Sequence, residues 1–227
     1  INRFHPGLSD NDLYFPDWFI GKWNVSSYLR NVEAPIDIDT FGGEYVYNKT
    51  RNELNKPLLY ISKFKRLDNG RVITDRLYNV EQIAIAAMGE NSIIDDYQPG
   101  YDITKNIRLV LASPVSKFVQ YEVNLESTDR QQIPLSNNPA LKSSPYFSIL
   151  EISTQSLQVS NTTSGYISPF LKKDIETITI YTKLSDNKIK ALQRTATYLC
   201  PSDLRYSENV KKQPKVVVDP IDIRCYE

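Results

Sequence analysis

The sequence predicts an all-β fold of antiparallel strands with one short helical insertion. Short segments from residue 22 to the end of the chain alternate apolar and polar residues, which is the pattern of strands with one buried face. Aromatic residues make up 11% of the chain, with 15 Tyr and 8 Phe, and such residues favour strands. A length of 227 residues is ordinary for one all-β domain with a substantial core.

The rest of the chain is organised around one stretch near the N-terminus. Residues 17–20 are too few for a stable α-helix but suit one helical turn, and Pro16 stands at its first position, where the fixed φ of proline is favourable. Gly21 then allows a tight entry, because it lacks a Cβ. A strand follows over residues 22–30, with Trp23 on its buried face.

Ten further segments with strand-like patterns follow the first strand. Asp68-Asn69-Gly70 between two of them predicts a hairpin turn. Residues 80–88 break the alternation with Ile and Ala, so they predict a helix that ends at Gly89 as a left-handed cap. The predicted strands span residues 44–49, 57–66, 71–78, 91–97, 106–113, 117–126, 146–154, 174–183, 188–199 and 215–226.

The sequence predicts one domain, residues 14–227, preceded by an extended N-terminal arm, residues 1–13. The arm is polar and contains Pro and Gly, and neither an internal repeat nor a shift in composition divides the rest. Two connections are long: residues 31–43 carry Pro and Gly, and residues 127–144 are polar and rich in turn formers. We interpret the second as an exposed insertion.

The stretch that begins the domain resembles a known family. Gly21-x-Trp23, at the start of the first strand, resembles the signature of the lipocalin and calycin barrels. Residues 14–25 (YFPDWFIGKWNV), 72–76 (VITDR) and 195–199 (TATYL) are similar to an uncharacterised lipocalin-like family of plants, algae and cyanobacteria, associated with the thylakoid lumen. The resemblance covers most of residues 14–226 and implies an antiparallel up-and-down lipocalin-like barrel, but no established activity.

The same resemblance assigns structural roles at the base of the barrel. Gly21 and Trp23 would close it, and an Arg of the last strand would cover the Trp ring. Arg224 matches that position by its order along the chain, and Arg194 is the rival. A cation–π contact of this kind contributes about 0.5–2 kcal/mol. The alternative is that Arg224 is an ordinary exposed strand residue.

The two cysteines, Cys200 and Cys225, lie near the ends of two predicted strands that follow each other in sequence. If these strands are neighbours, a disulfide would close a loop of about 25 residues and stabilise the fold by roughly 3 kcal/mol. Two buried thiols are the alternative. A redox-active pair is disfavoured, because no Cys-x-x-Cys spacing occurs.

The sequence predicts no catalytic residues and no metal site. Its only histidine, His5, lies in the polar arm. Very few residues could therefore serve histidine-dependent catalysis or a zinc site with His or Cys ligands. Asp95 and Asp96 are neighbours in a predicted strand and point to opposite faces. We expect no enzyme, and an isomerase or de-epoxidase-like activity is the least favoured hypothesis.

Charge and hydropathy limit the partners. Lys plus Arg and Asp plus Glu number 27 each, which argues against nucleic acid as a partner. No run of about 18 apolar residues exists, so we expect a protein peripheral to a membrane without a transmembrane span. The chain begins at Ile1 instead of Met, which indicates a removed targeting segment or a trimmed end.

Two functions remain in view. The resemblance implies a location in the chloroplast thylakoid lumen, with secretion as the alternative. With this location, the favoured function is a non-catalytic accessory or assembly subunit docked on the lumenal face of a photosynthetic membrane complex, a photosystem. The other is a carrier barrel that binds a small apolar ligand such as a pigment or lipid, with no other cofactor predicted. Its lining would include five aromatic residues: Tyr45, Tyr47, Tyr60, Phe64 and Tyr121.

Overall fold

A computed structural model of the protein describes residues 13–97, 105–133, 146–201, 203, 205–212, 214 and 216–226, with only the backbone of residues 216 and 218–226. Its eleven strands all belong to one antiparallel sheet, so the predicted antiparallel β class is confirmed. The strands are β1 Gly21–Tyr28, β2 Pro57–Arg66, β3 Val72–Thr74, β4 Ile93–Tyr97, β5 Asn106–Ala112, β6 Val119–Gln132, β7 Tyr146–Asn161, β8 Tyr166–Ile167, β9 Leu171–Ser185, β10 Lys188–Tyr198 and β11 Val216–Tyr226.

The sequence predicts one helical insertion, but four helices accompany the sheet in the described part of the chain, so the fold is mainly and not purely β. The helices are α1 Ile38–Phe41, α2 Glu44–Asn52, α3 Arg76–Met88 and α4 Tyr206–Asn209, with 3-10 turns at Asp17–Phe19 and Val210–Lys212. None of the described helices is long and apolar enough to cross a membrane.

The order of the strands leaves the sheet open at one place. It runs β3-β2-β1-β11-β10-β9-β7-β6-β5-β4, with β8 beside β7. Among the described residues, β3 and β4 have no ladder between them, so the predicted closed barrel is not found. The physical reason lies in the connection: the chain from β3 to β4 folds into α3, which lies where a further strand pairing would be needed.

Helix α3 packs on both sides of this opening. Leu77, Val80, Ala84 and Met88 recur at helical spacing and pack against Ile107, Leu109 and Leu111 of β5, as expected for an amphipathic helix. On the other side, Asn79 binds the backbone of β2. The predicted helix is confirmed, although it begins four residues before the expected residue 80, and Gly89 ends it with φ +100°.

Two predicted strands are wrong in whole or in part. Residues 44–49 lie in α2, whose start follows Gly43 at φ +87°. Glu44 in the first turn and Lys49 and Arg51 in the last complement the helix dipole, and this local preference prevails over a short alternation of apolar residues. Of the predicted strand 71–78, only β3 is extended, since the helix begins at Arg76.

The strands on the C-terminal side are longer than expected. β6 continues to Gln132, so the first part of the predicted insertion 127–144 is strand, and residues 134–145 lie outside the described residues. β7 continues seven residues past the predicted end at residue 154 and pairs with the short strand β8. Of the predicted N-terminal arm, residues 1–12 also lie outside the described residues.

The predicted helical turn and first strand are confirmed, and they position Trp23. The turn Asp17–Phe19 follows Pro16, and the Trp23 indole Nε1–H donates to the Phe19 carbonyl oxygen at 2.7 Å. The indole is buried, so this hydrogen bond satisfies its one polar group. Gly21 enters β1 at φ +117°, a backbone conformation that favours glycine.

The register of β11 bears on both predictions that involve it. Arg224 lies opposite Ser26 of β1 and Lys190 of β10. Its side chain lies outside the described residues, so its contact with Trp23 stays a prediction.

Cys225 lies opposite Ile189, near the start of β10, whereas Cys200 follows the other end of that strand. The distance along β10 is roughly 30 Å, and a disulfide needs Cα atoms within about 7 Å. The register therefore argues against a bond between Cys200 and Cys225.

Candidate functional site

A cavity of about 220 Å³ lies between the sheet and α3; we call it the α3 cavity. Side chains of β1, β2, β3, β7, β9 and β10 line it, together with Asn79 and Ile83 of α3. On β2 the lining residues are Tyr60, Ser62 and Phe64, which alternate along the strand as side chains of one face do. Strands that are distant in the order of the sheet thus face each other across one interior space.

One side of the α3 cavity is made of aromatic rings. Phe19 is 1% exposed, and its ring lies 4.8 Å from that of Phe64 and 5.0 Å from that of Tyr181, measured between centroids. Such tilted and edge-on pairs contribute about 0.5–1.5 kcal/mol beyond the burial of their area. We call this group the aromatic cluster, and its members are Phe15, Phe19, Trp23, Phe64, Phe147 and Tyr181.

The other side of the cavity carries hydrogen-bonding groups. They belong to Ser62, Thr74, Asn79, Glu151 and Gln193. The Gln193 side chain accepts from the Thr179 hydroxyl at 3.4 Å and donates to the Thr195 hydroxyl at 3.2 Å. The cavity therefore has an apolar half and a polar half.

Asn79 fixes the helix to the sheet. Its side-chain carbonyl accepts from the Lys63 backbone N–H at 2.6 Å, and its amide donates to the Lys63 carbonyl oxygen at 3.1 Å and to the Thr74 hydroxyl at 2.7 Å. One side chain thus reproduces the pair of hydrogen bonds that a neighbouring strand would make with a residue of β2. It does so next to β3, which is only three residues long.

Arg76 and Glu151 form the second connection between α3 and the sheet. The Arg76 guanidinium donates to a Glu151 carboxylate oxygen at 2.5 Å, and the Ser127 hydroxyl donates to the same oxygen at 3.4 Å. Arg76 is mostly buried and Glu151 is about one quarter exposed. Charge-assisted hydrogen bonds of this kind are among the stronger ones in proteins, and here the cation compensates the one carboxylate of the described cavity lining.

A wider space of about 460 Å³ adjoins the cavity. Val25 and Tyr60 line both spaces, and Gln82, Ile85 and Ala86 of α3 line only the wider one. Helix α3 therefore contributes side chains to both spaces.

Charged groups surround the start of α3. Lys63 and Lys65 lie 2.9 and 3.1 Å from the two carboxylate oxygens of Asp75. Burial raises the pKa of Asp75, but the hydrogen bonds from both lysines outweigh it and hold the pKa below its ordinary value. Burial also raises the pKa of Glu81, and the charges of Asp96 and Asp75 add to this effect.

The described lining of the α3 cavity contains few acidic or basic side chains. Among the described residues that line the cavity, Glu151 is the only carboxylate, and it accepts a hydrogen bond from Arg76. In the same described part of the chain, no three His, Cys, Asp or Glu side chains are grouped so that they could hold a metal ion. The aromatic and polar side chains of the lining otherwise present rings, amides and hydroxyls. Such groups recognise the shape and the hydrogen-bonding pattern of a ligand.

The predicted lining residues fall into two groups. Tyr60 and Phe64 line the α3 cavity, together with Trp23. Tyr45 and Tyr47 lie on α2, where Tyr45 is 78% exposed and Tyr47 packs against Phe41, so neither lines the cavity. Tyr121 packs against the cluster of Ile107, Leu109 and Leu111 on β5 and does not line the cavity.

Sequence reasoning did not find Asn79, Glu151, Gln193 or Arg76. A signal for Glu151 was present, because it follows Phe147 and Ile149 at a spacing of two residues and therefore shares their buried face. No comparable local signal marks Asn79, which lies in an ordinary stretch of helix.

Comparisons with known proteins give one match. The family model described as a domain of unknown function (DUF6816) matches residues 7–221. No curated protein and no solved structure matches the chain.

Proposed function

The chain belongs to this domain family of unknown function (DUF6816), and we propose that it is a non-catalytic binding protein that holds a small, mostly apolar ligand in the α3 cavity. The observation that carries the proposal is the division of the cavity into an aromatic half and a hydrogen-bonding half. Ligand sites are typically apolar spaces with a few polar groups that fix orientation.

The size of the cavity limits the ligand. A volume of about 220 Å³ lies below the roughly 300–1,000 Å³ of sites for drug-sized molecules. A compact ring with one hydroxyl or carbonyl group fits these limits, whereas a whole pigment or lipid could insert only a part. Because Arg76 compensates Glu151, a neutral ligand is favoured over an ion.

The finer fold follows from the same arrangement. We infer a lipocalin-like barrel in which α3 replaces the missing contact between β3 and β4. The continuous antiparallel order from β4 through β11 to β3 supports this interpretation, and so do the facing side chains of β2 and β7 around one cavity.

Phenol is a suitable probe, because it combines one ring with one hydroxyl. Titration of the protein with phenol, followed by NMR of the backbone amides, should shift signals of α3 and β2. Ile83, which lines the cavity and is 41% exposed, offers a variant: Ile83→Trp should fill the cavity and abolish these shifts. Ile94→Trp is the matched control, since Ile94 is similarly exposed on β4. Equal phenol binding by wild type and Ile83→Trp would contradict the proposal.

An accessory subunit docked on a photosystem in the thylakoid lumen is the second candidate function. The observation that favours it is Tyr45, which is 78% exposed on α2, because exposed tyrosines are frequent in protein interfaces. Co-migration with a membrane complex on a native gel, after mild solubilisation, tests it. Tyr45→Ala should weaken co-migration. If the wild-type protein itself did not co-migrate with a membrane complex, this candidate function would be contradicted.

A further inference from the structure

We propose that one end of the sheet binds the surface of an anionic lipid bilayer. This end, which we call the hairpin end, consists of residues 113–118 between β5 and β6 and residues 162–171 around β8. Large apolar side chains are exposed on both segments, up to 87% for Val115. They are Val115, Phe118, Tyr166, Ile167, Phe170 and Leu171.

Backbone pairing brings the two segments together. Val119 of β6 lies opposite Asn161 of β7, which in turn lies opposite Tyr166 of β8. The Thr162 backbone N–H donates to the Phe118 carbonyl oxygen at 2.8 Å. The exposed apolar side chains therefore lie together at one end of the sheet and are not scattered singly over the molecule. A concentration of this kind needs an explanation, whereas scattered apolar residues do not.

The hairpin that carries β8 is held in a defined conformation. The Ser168 backbone N–H donates to the Val159 carbonyl oxygen, the Val159 N–H donates to the Ser168 hydroxyl, and the Gln158 amide donates to the Ser168 carbonyl oxygen. At its turn, the N–H groups of Thr163 and Ser164 both donate to the Asn161 side chain. Satisfied backbone groups reduce the penalty for entering a poorly hydrated layer.

The charge of the hairpin end fits an anionic bilayer. Residues 113–121 and 152–173 contain no Asp or Glu, although the whole chain has 27 acidic residues. Lys117 and Lys172 are exposed there, and the Lys117 ammonium lies 5.1 Å from the centre of the Phe118 ring. The carboxylates that flank these segments have partners: Glu122 pairs with Arg108, Glu151 with Arg76 and Asp174 with Thr154.

This combination distinguishes a bilayer from a protein partner. Aromatic side chains at the headgroup level and lysines beside them are characteristic of contacts with membrane interfaces. The core of a protein–protein interface is instead depleted in lysine. The bilayer surface is therefore the partner that the exposed groups favour.

Sedimentation with vesicles tests the proposal. We expect the full-length protein to bind vesicles of phosphatidylcholine mixed with phosphatidylglycerol, and to bind vesicles of phosphatidylcholine alone more weakly, by about fivefold for each lysine near the surface. Raising the salt concentration should reduce this difference, because salt screens surface charges.

Variants at exposed positions distinguish a loss of the binding surface from a loss of the fold. Phe118→Ser combined with Ile167→Ser should reduce the partition onto mixed vesicles by at least about tenfold and leave the circular dichroism spectrum unchanged. Leu184→Ser is the matched control, since Leu184 is also exposed but lies at the opposite end of β9. Equal losses in both variants would overturn the proposal. Binding only to vesicles that contain membrane protein complexes, and not to lipid alone, would overturn it in favour of a protein partner.

Discussion

Two places in the sheet are held in different ways: one lies within the strand order, between β1 and β11, and the other between the two ends of that order, β3 and β4. Between β1 and β11, the first and last strands of the chain share a ladder from Asn24–Tyr226 to Tyr28–Asp222. Between β3 and β4, the described residues have no ladder, and α3 lies across the opening. We call these places the ladder seam and the helix seam.

The difference concerns which atoms hold each seam. Backbone hydrogen bonds form the ladder seam, so it depends little on any one side chain. The helix seam depends on a few side chains: Asn79, the Arg76–Glu151 pair, and the apolar residues of α3 that face β5. Structural units that rest on fewer contacts open at lower free energy. The helix seam is therefore where we expect the α3 cavity to exchange with solvent.

The largest effect is expected from the aromatic cluster beside the ladder seam. Phe19→Ala removes a ring that is 1% exposed and packs against Phe15, Phe64, Phe147 and Tyr181. Deletions of this size in a core reduce the free energy of unfolding by about 3–5 kcal/mol. Urea denaturation measures it, and hydrogen exchange should show lower protection at both seams, because the cluster joins them.

Tyr45→Ala is the control for this change, since it deletes an aromatic ring that is mostly exposed on α2. Its effect should stay within about 0.5 kcal/mol. A loss at Phe19 no greater than at Tyr45 would show that the aromatic cluster does not hold the fold.

A smaller effect, confined to one seam, is expected at Asn79. Asn79→Ala leaves the N–H and one acceptor site of the Lys63 backbone without the amide that binds them, and an unsatisfied buried group costs about 1–3 kcal/mol. Amide hydrogen exchange should become faster in α3 while β1 and β11 keep their protection. Gln82→Ala, one turn further along the helix, is the control and should leave exchange nearly unchanged.

If amide hydrogen exchange in the Asn79→Ala variant increased equally at both seams, the proposed difference between the ladder seam and the helix seam would be wrong. Such a result would mean that α3 and the β1–β11 ladder open as one cooperative unit. The ladder would then offer no more resistance than the helix.

Elements with a local signature were predictable from the sequence. The alternation over β2 and β10, the turn at Asp68-Asn69-Gly70 and the glycine that ends α3 are all properties of neighbouring residues. Residues 44–49 were predicted wrongly because the alternation in Tyr45-Val46-Tyr47 is too short to separate a strand from a helix. The opening between β3 and β4 was not predictable, since it depends on how distant strands pair.

The candidate site was predictable only where apolar residues form it. Tyr60 and Phe64 stand at alternating positions of a strand with a buried face, so their position in the interior follows from the pattern. The interior position of Gln193 does not follow from the pattern, because a polar residue in a strand is normally assigned to the solvent side. For Glu151, only its spacing from the buried Phe147 and Ile149 indicates the inner face. Asn79 acts through tertiary contacts with Lys63 and Thr74, and the residues next to it in sequence do not predict these contacts.

The smallest effect concerns pH and the ion pairs at the start of α3. The hydrogen bonds from Lys63 and Lys65 lower the pKa of Asp75 despite its burial, and the hydrogen bond to Asp75 raises the pKa of Lys63. The contribution of Asp75 is present above its unfolded pKa of about 3.9 and is lost as pH falls through the lower folded value. The contribution of Lys63 is present below its unfolded pKa of about 10.4 and is lost as pH rises through the higher folded value.

The ion pairs should therefore stabilise the helix seam between about pH 4 and pH 10, and only weakly, as is usual for pairs near the surface. The difference in unfolding free energy between wild type and Asp75→Asn should be largest in this window and shrink below it. Glu81 acts in the opposite direction, because its raised pKa means that the charged form disfavours the folded state. Both proteins are therefore best compared in a Glu81→Gln background. A difference that stayed constant down to pH 2, measured by urea denaturation, would show that the carboxylate of Asp75 contributes through packing and not through its charge.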